Sequence, residues 1–290
     1  MNMVKKPKYL FIVIPLSMLL FYYVFFEKDP YIDAKAAILI DAHSGEVVYS
    51  KNENVALAPA SMSKMMTMYI VLEQIQNGQL QWDELVTISE HAMHLDGVSI
   101  NIEVDEQLTV KDLFHAIVLS SANNAAVALA EHISNSEYQF TQLMNIKAKQ
   151  LQLSEQTRFV NATGLPNEQA EESTMTALDV AKLAQHLIKS YPDIVDVTRL
   201  TSYHLADRGV TLTTTNKMLF SANRKSFFQG VDGLKTGFTN EAGYCFAGTA
   251  KQYGKRLISV VMGTSEDAKR FTETKKLFSY GFDKPNIPFF

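Results

Sequence analysis

Residues 243–262 read GYCFAGTAKQYGKRLISVVM, and this stretch decides the fold class. Two runs with strand composition, 243–250 and 256–262, flank a turn at Gly254 and predict a β-hairpin. A second hairpin is predicted near the other end of the chain, where residues 36–49 read AAILIDAHSGEVVY. Strands at both ends with helices between them predict an α+β fold, in which the two hairpins form one antiparallel sheet packed with helices.

Between the hairpins the chain has helical patterns, and one more helix closes it. Helices are predicted over residues 61–77, 109–119, 122–133, 138–151, 176–189 and 268–282. Repeats, low-complexity stretches and linkers are not recognisable after about residue 33. We therefore expect one globular domain over residues 36–290, containing a helical subdomain.

The composition is that of a globular protein with a sizeable core. The 290 residues are 47% hydrophobic and 20% charged, with a formal charge of -4, which gives no reason to expect a nucleic-acid partner. The single cysteine, Cys245, excludes an internal disulfide and is expected to be a buried strand residue. His91 and His94 stand one helical turn apart without a third nearby ligand, so no metal site is expected.

The N-terminal segment has the character of a membrane anchor. Residues 9–26 read YLFIVIPLSMLLFYYVFF and carry no charge, and three lysines precede them within residues 1–8. As a helix, 18 residues span about 27 Å, close to the thickness of a bilayer core. We expect a cytoplasmic basic segment, an uncleaved transmembrane anchor at 9–26, a linker at 27–35 and a folded domain outside the cytoplasm. A cleaved signal peptide is the alternative.

A serine and a lysine stand three residues apart in PASMSKMMTMYIVLEQI, residues 59–75. Residues i and i+3 of a helix share a face, so Lys64 is predicted to lie one turn from Ser61. A serine hydroxyl becomes a good nucleophile when a base takes its proton, and an amine is such a base when burial or a second cation lowers its pKa. Alone the spacing is weak evidence, because S-x-x-K occurs about once by chance in a chain of this length and Ser61 could be a helix cap.

Two other short motifs could complete a catalytic site. SAN at residues 121–123 falls at the junction of two predicted helices, where a hydroxyl and an amide could pass a proton and hold a peptide group. A second SAN at residues 221–223 shows that this pattern is common. KTG at residues 235–237 enters a predicted edge strand, where an anionic substrate could lie alongside in β fashion. A solvated turn before the strand is the alternative.

The order and spacing of the three motifs resemble the penicillin-binding-protein and serine β-lactamase superfamily. Specifically, the chain resembles the low-molecular-mass D-alanyl-D-alanine carboxypeptidases over residues 36–282, through ILIDAHSGEVVY, LTVKDLFHAIVLSSANNAAVALAEHI, NATGLP, VDGLKTGFTNEAGYC and ISVVMGTS. The resemblance implies a β-lactamase/DD-peptidase-like fold. It also implies a bacterial cell-wall enzyme that removes the terminal D-alanine from peptidoglycan pentapeptide stems, binds β-lactam antibiotics covalently and needs no cofactor.

The same resemblance implies a role for each motif residue. Ser61 would attack the carbonyl of the penultimate D-alanine, Lys64 would be the general base, and Ser121 would relay the proton to the departing D-alanine. The backbone N–H groups of Ser61 and Phe238 would form the oxyanion hole. The substrate-binding residues implied are Asn123, Lys235, Thr236, Gly237, Phe238 and Arg270.

The chain departs from the family's pattern in a few places. Asn124 stands where the family commonly has aspartate, and the stretch EVDEQLT lacks a glycine that the family usually has. Many relatives continue into a β-rich domain and a C-terminal amphipathic anchor. Here residues 9–26 would tether the enzyme to the bacterial cell membrane instead.

Three other functions are compatible with the motifs. A β-lactamase on this fold needs a glutamate that activates the deacylating water. None of Glu155, Glu168, Glu171 and Glu172 begins the expected E-x-x-L-N pattern, which argues against this function. An endopeptidase acting on cross-linked peptides would share the whole site. A catalytically inactive, membrane-tethered scaffold is the alternative from another class, and the presence of all the motif residues argues against it.

Overall fold

The computed structural model describes residues 29–283. The chain divides into two compact units, residues 1–31 and residues 32–290. The predicted basic segment and membrane anchor, which fall within residues 1–26, lie outside the described residues. Among the residues that are described, no helix combines the length and the apolar character needed to cross a bilayer.

Nine strands are described in the second unit. They are β1 Ala36–Asp41, β2 Val47–Lys51, β3 Leu85–Thr87, β4 Gln107–Thr109, β5 Ser202–Leu205, β6 Val210–Thr213, β7 Val231–Thr239, β8 Gly243–Gln252 and β9 Lys255–Thr264. Five of them form an antiparallel sheet in the order β2-β1-β9-β8-β7. Ile38 of β1 lies opposite Val260 of β9, which joins the two terminal hairpins as predicted. The α+β prediction is confirmed, and β7 is an edge strand of the sheet.

Both terminal hairpins turn where the chain can adopt positive φ. In the first, Gly45 has φ 81°, and the Asp41 carboxylate accepts the backbone N–H groups of His43 and Ser44 at 2.9 and 2.8 Å. In the second, Gly254 has φ 82°. Glycine adopts this region without a Cβ penalty, which explains how the sequence reverses direction within a few residues.

Eight α-helices are described. They are α1 Lys64–Gln76, α2 Glu90–Met93, α3 Val110–Leu119, α4 Asn123–Ser134, α5 Glu137–Gln150, α6 Ala177–Ser190, α7 Ile194–Thr198 and α8 Asp267–Asp283. Side-chain caps explain several starts, since Thr109, Ser136 and Thr176 each accept a backbone N–H three residues on. The six predicted helices are thus confirmed to within a few residues.

The sheet separates two hydrophobic clusters. Alternate residues of β1 point to opposite faces, so Ile38 and Ile40 belong to the larger cluster with the central helices, whereas Leu39 belongs to the smaller one. Phe271 and Phe278 of α8 pack in the smaller cluster. The prediction of a buried Cys245 is confirmed, since its side chain is 0% exposed, and the four methionines of residues 62–68 are equally buried.

Several short elements have no clear pattern in the sequence. These are α2, α7, the pairs β3–β4 and β5–β6, and three 3-10 helices, Ala60–Ser63, Ala206–Arg208 and Lys217–Leu219. Each has five residues or fewer per element, too few for a helical or strand period to be recognised. Their place in the chain is set by tertiary packing.

Candidate active site

Ser61 lies in the tight 3-10 turn Ala60–Ser63, which leads into α1. Ala60 has φ 49°, a left-handed conformation that is uncommon outside glycine, so the backbone is strained immediately before Ser61. The α-helix therefore begins at Lys64, one turn later than predicted, and Ser61 does not cap it. Ser61 remains partly exposed, while Lys64 is 0% exposed.

The Lys64 amine has three neighbours in hydrogen-bond range. Its Nζ lies 3.0 Å from Ser61 Oγ, 2.7 Å from Asn123 Oδ1 and 2.8 Å from the Thr163 carbonyl oxygen. The last two atoms only accept hydrogen bonds, so they take two N–H groups of the amine. A neutral Lys64 then presents its lone pair to the Ser61 hydroxyl, which is the arrangement of a base that takes the nucleophile's proton.

Electrostatics favour the neutral form of this amine. Burial and then the nearby charge of Lys235 hold the pKa of Lys64 well below its ordinary value, and the charge of Glu137 offsets part of this lowering. Burial penalises the ammonium ion, and a second cation penalises it further. Lys64 is therefore prepared to act as a general base at a lower pH than an ordinary lysine.

A tight turn at residues 161–164, in the NATGLP stretch, orients the Thr163 carbonyl toward Lys64. The side-chain oxygen of Asn161 accepts the backbone N–H groups of Thr163 and Gly164 at 3.2 and 2.8 Å. Gly164 has φ 80°, and a Cβ on it would lie 2.1 Å from the Ala60 carbonyl oxygen. The turn thus packs directly on the backbone of the nucleophile turn, a contact that requires glycine.

The junction between α3 and α4 supplies the second predicted motif. Ser121 has φ 66° and is 7% exposed, and its hydroxyl makes no hydrogen bond to any described residue. Asn123 opens α4, with its oxygen on Lys64 and its amide nitrogen donating to the Asp96 carbonyl at 2.8 Å. In this structure Asn123 is thus a partner of Lys64, and its predicted contact with a substrate amide stays a prediction.

The KTG motif lies on the edge strand β7, beside the nucleophile turn. A Cβ on Gly237 would lie 2.7 Å from the Pro59 carbonyl oxygen, so the absence of a side chain lets the strand approach this turn. Lys235 is 1% exposed, and its Nζ donates to the Thr236 carbonyl at 3.2 Å. The hydroxyl of Thr236 lies 2.7 Å from that of Thr215.

Arg270, on α8, approaches the same strand. Its Nη1 donates to the Gly237 carbonyl at 3.0 Å, and its Nη2 pairs with the Asp267 carboxylate. The guanidinium also lies over the Tyr244 ring, 5.4 Å from its centroid, and the Phe238 ring stacks on the same Tyr244 ring, with the two centroids 4.3 Å apart. Phe238 is 46% exposed, which leaves an aromatic face at the mouth of the site.

Positive charge is concentrated along this strand. Burial and then the charge of Arg270 lower the pKa of Lys235 to about 7. Lys235 in turn acts on Lys64, so three cationic groups stand in series from α8 to the nucleophile. Such a region attracts a carboxylate and favours a neutral Lys64 at the same time.

The structure thus connects the predicted residues through direct contacts in two groups. One joins Ser61, Lys64 and Asn123, and the other joins Gly237 with Arg270 and Lys235 with Thr236. The contacts of Thr163 and Thr215 were not predicted from the sequence. The NATGLP stretch was a usable signal for Thr163, whereas nothing in the sequence marks Thr215.

The other polar candidates lie in different surroundings. Nε2 of His91 lies 3.0 Å from Glu137, and His94 bonds a backbone carbonyl of its own helix. Within residues 29–283 no group of histidine, cysteine and carboxylate side chains could hold a metal ion. Glu171 pairs with Arg158, and Glu172 accepts from Thr239. In the described part of the chain, neither carboxylate contacts Ser61 or Lys64.

Known proteins resemble this chain in sequence. Residues 24–266 match the family described as D-alanyl-D-alanine carboxypeptidase (Peptidase_S11). The chain is 40% identical over 255 residues to D-alanyl-D-alanine carboxypeptidase DacF of Bacillus subtilis, covering 87% of this chain and 63% of DacF. It is 34% identical over 261 residues to DacC of Escherichia coli, covering 88% of this chain and 62% of DacC.

A solved structure agrees with these relatives. Penicillin-binding protein D2 of Listeria monocytogenes in its ampicillin-bound form has a TM-score of 0.79 and 37% identity, covering 89% of this chain and 100% of that one. The chain spans less than two thirds of the length of DacF and DacC. The match to the family model covers most of the chain, and the chain belongs to the D-alanyl-D-alanine carboxypeptidase family, Peptidase_S11.

Proposed function

We propose that this protein is a serine-type D-alanyl-D-alanine carboxypeptidase that acts on peptidoglycan pentapeptide stems. The observation that carries the proposal is the 3.0 Å contact between Ser61 Oγ and a buried Lys64 amine whose other two contacts are acceptors. That geometry directs the amine lone pair at the serine proton. Family membership supports the same activity.

The reaction begins with the transfer of the Ser61 proton to Lys64. The oxygen of Ser61 attacks the carbonyl of the penultimate D-alanine, and backbone N–H groups of Ser61 and Phe238 stabilise the oxyanion that develops. The peptide bond breaks, the proton passes through Ser121 to the nitrogen of the departing D-alanine, and an ester remains on Ser61. Water then hydrolyses this ester and restores the serine hydroxyl.

The substrate would lie along the edge strand β7. Lys235 and Thr236 would hold the terminal carboxylate, and Arg270 would increase the positive potential behind them. The absence of a side chain at Gly237 keeps the peptide close to the nucleophile turn. A β-lactam presents its own carbonyl and carboxylate at similar positions, so it would acylate Ser61 in the same way.

We also propose that residues 9–26 anchor the protein in the bacterial cell membrane, with the domain of residues 36–290 outside the cytoplasm. The support is the 18-residue apolar run after a lysine-rich start. Peptidoglycan lies outside that membrane, so this orientation places the enzyme beside its substrate. Cleavage of the segment would instead release a secreted enzyme.

Intact-mass measurement of the detergent-solubilised chain after incubation with benzylpenicillin tests the proposal, with Ser61→Ala as the control. A stable one-to-one adduct that requires Ser61, followed by release of D-alanine from a pentapeptide, is expected. Absence of an adduct on folded protein would favour the inactive scaffold, and rapid turnover of the drug would favour a β-lactamase. Cleavage of cross-linked dimers without release of D-alanine would favour an endopeptidase.

A further inference from the structure

The turn that binds Lys64 has a second support on its far side. Glu137, the first residue of α5, accepts the backbone N–H of Ala162 through Oε1 at 2.9 Å. The Thr67 hydroxyl of α1 donates to the carbonyl of the same alanine at 2.8 Å. The carbonyl of the next residue, Thr163, is the one that Lys64 binds. Both polar groups of Ala162 are therefore fixed by side chains of flanking helices.

Glu137 is itself held in one orientation. Its second oxygen, Oε2, lies 3.0 Å from Nε2 of His91 on α2, and its side chain is 16% exposed. The carboxylate therefore bridges α2 and the turn, with one oxygen on each. Its orientation leaves little freedom for the Ala162 N–H to move, and hence for the Thr163 carbonyl that follows it.

The charge of Glu137 also reaches the catalytic amine. Burial and the charge of Lys235 lower the pKa of Lys64, and Glu137 opposes them. Glu137 lines a cavity of about 730 Å³ that is open to solvent, and the other charged or titratable side chains in its lining are those of His91, Glu131, Tyr138, Arg158 and Glu168. Of these, His91 contacts Glu137 directly.

We propose that Glu137 is a positioning residue for the general base: it fixes the turn whose Thr163 carbonyl binds Lys64, and its negative charge acts on that amine through space. This role rests on the proposed function, because it concerns the same nucleophile and base. Glu137 touches neither Ser61 nor Lys64 and acts through the turn and through its field.

A purely structural role is the competing explanation. An acidic residue in the first turn of a helix is stabilised by the helix dipole, and Asp112 and Asp179 also lie in the first turns of α3 and α6. If Glu137 served only to start α5, its replacement would change the stability of the fold. The same replacement would leave the pKa of Lys64 unchanged.

The first experiment measures that titration without relying on catalysis. The full chain in detergent, labelled with ¹³C at the lysine side chains, is titrated by NMR, and Lys64 is assigned by the loss of its signal in Lys64→Arg. Glu137→Gln keeps an oxygen for the Ala162 N–H and removes the charge, so the Lys64 midpoint is expected at lower pH than in the unmodified protein. The matched control is Glu131→Gln, a carboxylate of the same cavity that is bonded by Ser89 at 2.6 Å, and it should leave the midpoint unchanged.

The second experiment measures acylation by a fluorescent penicillin across the pH range. Glu137→Gln should move the rising limb of the profile to lower pH at an unchanged plateau. Glu137→Ala also removes the acceptor, and its plateau should fall about 10-fold or more, since a 1 Å displacement of a catalytic group costs up to ~100-fold.

An unchanged Lys64 midpoint in Glu137→Gln would contradict the charge role, and an unchanged plateau in Glu137→Ala would contradict the positioning role. A shifted midpoint in a protein that forms no adduct would instead contradict the proposed function alone.

Discussion

The main-chain carbonyl oxygen of Thr163 lies 2.8 Å from Nζ of Lys64, although 99 residues of sequence separate them. Together with Asn123, this carbonyl occupies two of the amine's three positions and leaves the third for the nucleophile. The direction of proton transfer therefore depends on the Thr163 carbonyl oxygen. The position of this oxygen depends in turn on how residues 161–164 pack.

Gly164→Ala should separate this turn from the nucleophile. The new Cβ would lie 2.1 Å from the Ala60 carbonyl oxygen, at a residue whose φ is 80°. We expect acylation by penicillin to slow by about 100-fold or more, because the turn must move and take the Thr163 carbonyl with it. Stopped-flow acylation rates, with circular dichroism to verify folding, measure the effect.

Gly254→Ala is the matched control for this substitution. Gly254 has φ 82°, and nothing lies within 4 Å of a Cβ placed there. Gly254→Ala should therefore show only the cost of a Cβ at positive φ, a loss of about 1–2 kcal/mol in stability, and its acylation rate should be unchanged. Equal acylation rates in the two variants would mean that the contact between Gly164 and Ala60 has no effect on the base.

The rate of acylation should fall on the alkaline side of neutrality. Lys64 is reactive when neutral, and Lys235 attracts the substrate carboxylate when charged. Because the pKa of Lys64 is well below its ordinary value and that of Lys235 is about 7, the rate should rise as Lys64 loses its proton and decline as pH increases through about 7. The measurement is the pH profile of acylation by a carboxylate-bearing β-lactam.

Lys235→Arg identifies the group that causes the alkaline decline. A guanidinium stays charged throughout this range, so the variant should have a lower plateau but no decline up to about pH 9. A decline that persists unchanged in Lys235→Arg would assign it to another group.

The secondary structure that carries the site could be predicted from local patterns. The hairpins at residues 36–51 and 243–264 have strand composition on both sides of a glycine turn, and the central helices have long apolar faces. The position of residues 235–237 on an edge strand was likewise predictable. In each case the signal is local, because composition and periodicity report directly on which face is buried.

The contacts that direct the chemistry were not predictable in the same way. A backbone carbonyl such as that of Thr163 has no side-chain signature, and its contact with Lys64 appears once two distant segments pack together. The hydrogen bond from Lys64 to the side-chain oxygen of Asn123 was not predicted either, while the predicted contact of Asn123 with a substrate amide stays a prediction. Hydrogen-bond partners that are far apart in sequence follow from packing, which a single sequence does not specify.

Asn124→Asp tests the residue that departs from the family's common aspartate. The amide nitrogen of Asn124 donates to the Ile100 carbonyl at 2.7 Å, and its oxygen accepts the N–H groups of Ile100 and Ala125 at 3.2 and 2.9 Å. An ionised aspartate keeps the acceptors but turns an oxygen toward the Ile100 carbonyl. We expect a loss of about 1–3 kcal/mol in the free energy of unfolding at pH 7, measured by urea denaturation.

The pH dependence of this loss has a definite sign. Burial raises the pKa of the introduced carboxyl in the folded state, so its protonated form, which can donate to Ile100, becomes available as pH falls. The deficit should therefore be smaller at pH 5 than at pH 7. Asn54→Asp, at an exposed position, should change stability by no more than about 0.5 kcal/mol at either pH. A deficit that grows on acidification would contradict this account.

Asp179→Asn should remove a buried hydrogen-bond centre that organises the chain before α6. The Asp179 carboxylate is 1% exposed and accepts the N–H of Ser154 at 2.9 Å and the hydroxyls of Ser154, Thr157 and Thr176 at 2.5, 3.0 and 2.9 Å. Burial alone would raise the pKa of this carboxyl, but the hydrogen bonds outweigh it and hold the pKa below the ordinary value. An amide offers one acceptor oxygen and presents an NH₂ group to hydroxyl donors, so we expect a loss of about 3 kcal/mol in the free energy of unfolding at pH 7.

The stabilisation by Asp179 should depend on pH. Because the folded-state pKa of Asp179 is lowered, this stabilisation is present above the unfolded-state pKa and is lost as pH falls through the folded-state value. Urea denaturation at pH 7 and at about pH 3 should therefore show the gap between the two proteins narrowing in acid. Asp193→Asn, at an exposed position before α7, is the control and should have little effect at either pH. A gap of the same size at both pH values would mean that the charge of Asp179 is not what holds these donors together.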